Sequence, residues 1–136
     1  MRIVAGEFRG RQLKSPTWEG LRPTSDRLRE TLFNILGDAV RGARVLDGYA
    51  GTGAIGIEAL SRGAAHVAFV ENDRRAVKLI EVNLASLTPR QDAIIRSGFR
   101  GFEDEAFDVI ILDPPYESDA VTKALTAVRA VSGVPT

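Results

Sequence analysis

The segment "ILDPPYESD", residues 111–119, joins residue types that could recognise an amino group. An apolar run, residues 107–112, ends abruptly at Asp113, which two prolines and Tyr116 follow. The Asp113 carboxylate and the Pro114 carbonyl are hydrogen-bond acceptors, and prolines fix φ so that the acceptors point in a set direction. Such a pair suits an exocyclic –NH₂ group, and Tyr116 offers a ring on which a base can stack. A turn that only closes the strand explains the prolines but leaves the acid and the aromatic unexplained.

A glycine-rich loop, "GTGAIG", supplies the second group of candidate residues. Gly51, Gly53 and Gly56 have the spacing G-x-G-x-x-G between a predicted strand and a predicted helix. Glycines there let the backbone turn tightly and leave room for a ligand at the helix N-terminus. The loop predicts a nucleotide-like cofactor, and a purely structural glycine turn is the alternative.

Two carboxylates narrow the choice of cofactor. Glu71 ends the second predicted strand, 18 residues beyond Gly53, where a carboxylate can accept hydrogen bonds from both ribose hydroxyls. Both dinucleotides and S-adenosylmethionine carry such a ribose. Asp47, four residues before Gly51, favours S-adenosylmethionine, because a carboxylate there attracts an ammonium or sulfonium and repels a pyrophosphate. A dinucleotide-dependent oxidoreductase is the weaker hypothesis, since it leaves Asp47 and Asp113 without a role.

Alternating strands and helices must position these residues. Strands are predicted from the sequences "ARVLDGYA", "HVAFVE", "AIIR" and "FDVIIL", and helices from "AIGIEALSR", "RRAVKLIEVNLASL" and a last segment, "AVTKALTAVRAV". This order predicts an α/β fold built from parallel βαβ units with right-handed crossovers. The carboxyl ends of the strands then share one edge of the sheet, where Asp47, Glu71 and Asp113 meet.

The N-terminal part differs from this pattern. Residues 1–13 read as a β-hairpin around Gly6 and Gly10, and a helix follows, capped by Thr24 or Ser25 and ended by Gly37. Helical spacing predicts that this helix turns Arg27 and Arg29 away from the core. The residues predicted to form its buried face are Leu28, Leu32, Ile35 and Leu36.

Composition limits the class of protein. The chain has 136 residues, no cysteine and a net charge of zero, so one globular domain is expected and disulfides and thiolate metal sites are excluded. No apolar run is long enough to span a membrane, and arginines interrupt the N-terminus where a signal peptide needs an apolar run, so we expect a cytoplasmic protein. Residues 1–30 carry seven Arg or Lys against four Asp or Glu. This basic part suggests an anionic partner such as nucleic acid, or else a solvated basic face.

Four blocks together resemble one family. "RIVAGEFRGRQL", "LRPTSDRLRETLFNIL", "VLDGYAGTGAIGIEALSRGA" and "FDVIILDPPY" are similar to the bacterial small-subunit ribosomal RNA guanine-N2 methyltransferases, over roughly residues 2–117. The resemblance implies a Rossmann-like class I methyltransferase sheet, S-adenosyl-L-methionine as cofactor, and 16S rRNA or the small ribosomal subunit as partner. Adenine-N6 methylation of DNA is an alternative, because Asp-Pro-Pro-Tyr recognises an amino group and no particular base. A nonenzymatic binding protein is another.

The resemblance also assigns candidate residues and domains. It implies an RNA-binding extension over residues 1–42 and a methyltransferase domain over residues 43–136. Catalytic residues are expected to be Asp113, Pro114 and Tyr116, and no metal site is expected. The expected cofactor-binding residues are Asp47, Ala50, Gly51, Gly53, Glu71, Asn72, Gly98 and Phe99. The expected RNA-binding residues are Arg2, Arg9, Arg11, Arg22 and Arg27.

The sequence departs from the family's pattern in three places. Ser97 and Gly98 stand where an acidic residue often contacts the adenine, so adenine binding is expected to rely on backbone atoms and Phe99. Gly48 replaces a larger apolar residue, which is expected to loosen the turn after the first strand. Only about four of seven core strands can be counted, so the C-terminal strands are expected to be missing. A fourth strand left at an edge predicts self-association through that edge.

Overall fold

A computed structural model describes residues 1–21, 25–102 and 105–113 of the chain. After a first helix, strands and helices alternate as far as the third strand, as the sequence predicts. The elements are α1 (Asp26–Leu36), a 3₁₀ turn (Gly37–Val40), β1 (Arg44–Gly48), α2 (Ala54–Ser61), β2 (His66–Val70), α3 (Arg74–Ala85), β3 (Ala93–Arg96) and β4 (Val109–Leu112). The helix predicted from residue 120 onward lies outside the described residues.

The four described strands form one parallel sheet in the order β3-β2-β1-β4. Gly48, the last residue of β1, pairs with Val70 of β2 on one side and with Leu112 of β4 on the other. The chain therefore adds β2 and β3 on one side of β1 before it places β4 on the opposite side. Ligands of open parallel sheets bind where the strand order reverses in this way, at the carboxyl ends of the strands.

The two faces of the sheet are covered by different parts of the chain. On one face Val45 and Phe69 from the strands pack with Ile57 of α2 and Ile80 of α3. On the other face the loop between β3 and β4 covers the sheet, with the buried side chain of Phe102 at its centre. Both faces of β1 are thus buried, and its two successive apolar side chains, Val45 and Leu46, are fully buried on opposite faces of the sheet.

The N-terminal residues 1–13 fold back on themselves and join the main core. A single antiparallel bridge pairs Arg2 with Gln12, so the predicted hairpin takes the form of a looped segment with one bridge. Three of its apolar side chains, Ile3, Phe8 and Leu13, are buried in the same cluster as the helical face of the sheet. The boundary at residue 42 between two domains stays a prediction.

The ends of α1 agree with the predicted capping residues. The Ser25 hydroxyl oxygen accepts a hydrogen bond from the Leu28 N–H at 3.1 Å, which satisfies one of the free donors at the helix N-terminus. At the other end Gly37 adopts a φ of 54°, a conformation that stops the helix at little steric cost.

The predicted buried face of α1 is wrong for two of its residues. Leu28 is 57% exposed and Ile35 is 79% exposed, whereas Phe33 and Arg29 are buried. Arg29 is buried because its guanidinium donates to the carboxylate of Glu58 on α2, a partner that helical periodicity cannot reveal. The helix is therefore rotated so that Arg29, paired with Glu58, faces the core in place of Leu28.

Candidate cofactor site

The glycine-rich loop connects β1 to α2 at the carboxyl edge of the sheet. A Cβ atom on Gly56 would stand 2.3 Å from a ring carbon of Phe69, and one on Gly53 would stand 2.8 Å from Cγ1 of Ile80. These two glycines are thus required by the close packing of the loop and α2 on β2 and α3. Gly51 is different, because it is partly exposed and a Cβ atom on it would meet no atom closer than Cδ1 of Leu21, at 3.5 Å.

Glu71 joins the loop after β1 to the loop after β2. Its Oε1 accepts a hydrogen bond from the Gly51 N–H at 2.8 Å, and its Oε2 accepts one from the Asp73 N–H at 2.9 Å. The two backbone donors fix the orientation of the carboxylate at the edge of the sheet. Each carboxylate oxygen retains a second lone pair, which is the acceptor that a ribose hydroxyl needs.

Asp47 lies beneath the same loop and is almost completely buried. Its Oδ2 accepts a hydrogen bond from the Gly56 N–H at 3.0 Å. The pKa of Asp47 is raised to about 8, chiefly by burial and to a smaller extent by the charges of Glu71 and Asp113, against the lowering effect of the Gly56 hydrogen bond. The carboxyl group is therefore largely neutral at pH 7, and a cation brought close to it would favour its ionised form.

Phe99, which is expected to contact the adenine, packs beside the end of β1. The ring of Phe99 packs edge-on against Tyr49, with ring centroids 5.8 Å apart. A Cβ atom on Gly48 would stand 3.0 Å from that ring and 2.5 Å from Cδ2 of Leu112. Phe99 and Leu112 therefore fill the space that a larger side chain at position 48 would take, and the loosening of the turn by Gly48 stays a prediction.

A surface cleft of about 390 Å³ begins at Glu71 and continues between α3 and β3. Asn72 and Ser97 border it next to Glu71, and the neighbouring Gly98 is partly exposed. The remaining residues that line it are Arg74, Val77, Lys78, Glu81, Ile95 and Arg96. The cleft offers a mixed apolar and polar surface beside the ribose-binding candidate.

Asp113 follows β4 and is exposed at the same edge as the loop. The structure thus brings Asp47, Gly51, Glu71 and Asp113 to one edge of the sheet. Pro114 and Tyr116, the other two expected catalytic residues, lie outside the described residues.

The expected RNA-binding arginines are exposed where the structure describes them. Arg2 Nε lies 3.4 Å from Oδ2 of Asp26, and Arg11 Nη1 donates to the Ser86 carbonyl at 2.6 Å, so both are partly engaged within the fold. Arg9 and Arg27 are exposed as well. Arg22 lies outside the described residues.

Sequence analysis missed Glu58, a buried acid in the middle of α2. Its Oε1 accepts from the Val4 N–H and from Arg29, and its Oε2 accepts from the Ala5 N–H and from Arg62. A single acid inside the otherwise apolar sequence "AIGIEALS" was the signal available, because a buried carboxylate needs partners.

The model of one protein family, described as "Conserved hypothetical protein 95", matches residues 1–133. The chain belongs to this family. Members with curated names include the ribosomal RNA small subunit methyltransferase D of Escherichia coli K12, which is 41% identical over 119 residues, or 85% of this chain and 60% of that protein. The protein of the same name from Haemophilus influenzae is 40% identical over 133 residues, or 93% of this chain and 69% of that protein. The chain therefore spans 60% of the length of its Escherichia coli relative.

Solved structures agree with the family assignment. The yhhF protein of Escherichia coli superposes with a TM-score of 0.83 at 36% identity, over 97% of this chain and 74% of that chain. A protein of Thermus thermophilus superposes with a TM-score of 0.77 at 32% identity, over 93% of this chain and 78% of that chain. A more distant methyltransferase-type structure, solved with SAH, is 22% identical with a TM-score of 0.56 and shares the fold. The described sheet is a Rossmann-like class I methyltransferase sheet, as the sequence predicted.

Proposed function

We propose that this chain transfers a methyl group from S-adenosyl-L-methionine to the exocyclic N2 amine of a guanine in small-subunit (16S) ribosomal RNA. The observation that carries the proposal is the meeting of the glycine loop, Glu71 and Asp113 at the point where strand order reverses. The names of the Escherichia coli and Haemophilus influenzae relatives support ribosomal RNA as the substrate. The choice of guanine as the base, and of its N2 amine as the acceptor, is based on the resemblance of the four sequence blocks to the guanine-N2 methyltransferases.

The residues present fit an adenosyl cofactor. Glu71 is held by two backbone donors and keeps acceptors for both ribose hydroxyls. Asp47 is buried beneath the loop, where its raised pKa makes it responsive to a nearby positive charge. The complex of a distant relative of this fold with SAH supports the same class of ligand. When bound, the cofactor supplies an electrophilic methyl group.

The protein's part in the reaction is orientation and electrostatic stabilisation. The Asp113 carboxylate accepts a hydrogen bond from the target amine, and the Pro114 carbonyl accepts a second one. These bonds turn the amine lone pair out of conjugation with the base and stabilise the positive charge that develops on nitrogen. Tyr116 stacks on the base. The arginines of the N-terminal part, Arg2, Arg9, Arg11, Arg22 and Arg27, contact RNA phosphates.

The test separates cofactor binding from methyl transfer. Calorimetric titration with S-adenosylmethionine is expected to show binding by the chain and loss of that binding in Glu71→Ala, because the ribose loses its acceptor. Asp113→Ala is expected to bind the cofactor within about threefold of the unmodified chain while transfer to small-subunit particles falls at least about 100-fold, the effect of removing one transition-state hydrogen bond. Glu30→Ala, which removes an exposed acid from α1, serves as the control.

Two results would count against the proposal. Equal losses of affinity and transfer in both site variants would remove the division of roles between Glu71 and Asp113. Methylation of naked DNA in preference to small-subunit particles would replace the RNA substrate by DNA.

A further inference from the structure

The segment Lys14–Leu21, here called the strap, crosses from the N-terminal part to the glycine loop. At its start the backbone of Lys14 is held by the side chain of Asn83 on α3. The Lys14 N–H donates to Asn83 Oδ1 at 2.8 Å, and Asn83 Nδ2 donates to the Lys14 carbonyl at 3.1 Å. Because Asn83 is buried, this double hydrogen bond fixes one end of the strap on the body of the protein.

The middle of the strap contacts the N-terminus of α3 through Trp18. The guanidinium carbon of Arg75 lies 4.9 Å from the centroid of the Trp18 ring, a cation–π distance. Arg75 Nη2 in turn lies 3.6 Å from Oδ2 of Asp73, the residue that caps α3. The Asp73 N–H donates to Glu71, so three successive contacts lead from Trp18 to the carboxylate expected to bind the ribose.

The end of the strap contacts the glycine loop through Leu21. Leu21 Cδ1 lies 3.5 Å from the position that a Cβ on Gly51 would occupy. The Gly51 N–H is the other donor to Glu71. Both backbone groups that orient Glu71 therefore belong to segments that the strap touches.

We propose that the strap is the outer wall of the cofactor site and that Trp18 is a positioning residue, which acts on Glu71 through Arg75 and Asp73. The inference rests on the proposed function, since it concerns the site of the adenosyl ligand. Under this inference Trp18, a residue of the basic N-terminal part, contributes to cofactor binding, and the N-terminal part forms one side of the cofactor site.

Trp18 is the only tryptophan in the chain, so its fluorescence reports on the strap directly. S-adenosylhomocysteine is titrated while binding is followed both by calorimetry and by tryptophan emission. We expect emission to change and to saturate along the calorimetric curve. Trp18→Ala is expected to weaken binding about two- to fivefold, the equivalent of an exposed cation–π contact. Trp18→Phe keeps an aromatic face under Arg75 and is expected to bind within about twofold of the unmodified chain.

Arg75→Ala tests the contact from the other side. It is expected to weaken binding at least as much as Trp18→Ala, because it also removes the contact with Asp73, and the double variant is expected to bind no more weakly than Arg75→Ala. Arg90→Ala, which removes an exposed arginine beyond the C-terminus of α3, is the control and is expected to leave affinity unchanged. Circular dichroism establishes whether each variant is folded. If Trp18→Ala is not folded, the affinity of Arg75→Ala is used as the test.

The outcomes separate the two proposals. Unchanged affinity in folded Trp18→Ala and Arg75→Ala, or an emission that does not respond to saturating ligand, overturns the role of the strap while cofactor binding stands. Failure of the unmodified folded chain to bind S-adenosylhomocysteine overturns the proposed function itself, and the strap inference with it.

Discussion

Asp47 holds a buried carboxyl group at the exit of β1, in contact with the loop that we propose binds the cofactor. Its ordinary pKa of 3.8 is raised to about 8 in the folded protein, chiefly by burial. Between these two values the folded protein holds a proton that the unfolded chain has released. This proton contributes fully to the free energy of unfolding below about pH 4. The contribution is lost as pH rises toward 8, by up to about 1.4 kcal/mol per pH unit.

Asp47→Asn is therefore expected to stabilise the protein selectively at high pH. The amide oxygen can still accept from the Gly56 N–H, but no buried charge has to form. We expect urea unfolding to show a free energy close to that of the unmodified chain near pH 4.5 and a higher one at pH 8.5. Asp38→Asn, at an exposed acid in the 3₁₀ turn, is the control. A stability difference between Asp47→Asn and the unmodified chain that is the same at both pH values would contradict this linkage.

At the scale of elements, α1 shows how a helix is oriented by one partner. Its exposed face carries Leu28 and Ile35, while Phe33 is buried with the guanidinium of Arg62 5.0 Å from its ring centroid. The buried pair of Arg29 with Glu58 selects this rotation of the helix. The spacing of apolar residues alone predicted that the face with Leu28 and Ile35 would be buried.

Two substitutions in α1, one buried and one exposed, test this orientation. Phe33→Ala is expected to lower the free energy of unfolding by about 3–5 kcal/mol, because it leaves a cavity in the core. Ile35→Ala in the same helix is expected to change it by less than about 0.5 kcal/mol, since its side chain is already in water. Denaturant unfolding measures both. If Ile35→Ala lowered the free energy of unfolding as much as Phe33→Ala, the face predicted from the sequence would be the buried one.

At the scale of the whole molecule, Glu58 joins three parts of the chain. It accepts hydrogen bonds from the N–H groups of Val4 and Ala5 in the N-terminal segment, from Arg29 on α1 and from Arg62 next to α2. One carboxylate at the centre of the fold thus satisfies all four of these donors. These bonds act together with those of Ser61 to the same segment, where its hydroxyl accepts from the Phe8 N–H and donates to the Ala5 carbonyl.

Glu58→Gln is expected to lower the free energy of unfolding by about 3 kcal/mol, because Arg29 would lose its buried counterion and keep only the partly exposed Asp26. Amide hydrogen exchange is expected to be faster in the variant than in the unmodified chain at Val4 and Ala5, whose N–H groups donate to Glu58. The exchange rate at Phe69 in the sheet is expected to increase less. Glu30→Gln, at an exposed acid, is the control. Unchanged stability and unchanged exchange at Val4 and Ala5 would show that the apolar contacts of the N-terminal segment and its hydrogen bonds to Ser61 hold it without Glu58.

The sequence by itself determined the order of the elements, the family and the edge at which the candidate residues meet. Continuous apolar strands such as "HVAFV" and capping residues such as Ser25 and Gly37 act locally, so their spacing is enough to predict them. The convergence of Glu71 with the glycine loop follows from parallel strand order, which alternation of elements already implies.

Only the tertiary structure decided which groups are partners across elements. The burial of Arg29, the four donors around Glu58, the filling of the space at Gly48 by Phe99 and the contact of Trp18 with Arg75 all join residues far apart in the sequence. Periodicity describes one element in isolation, and it treats a charged residue as exposed by default. Burial of a charge depends on a counterion delivered by another element, and so it becomes visible only when the chain is folded.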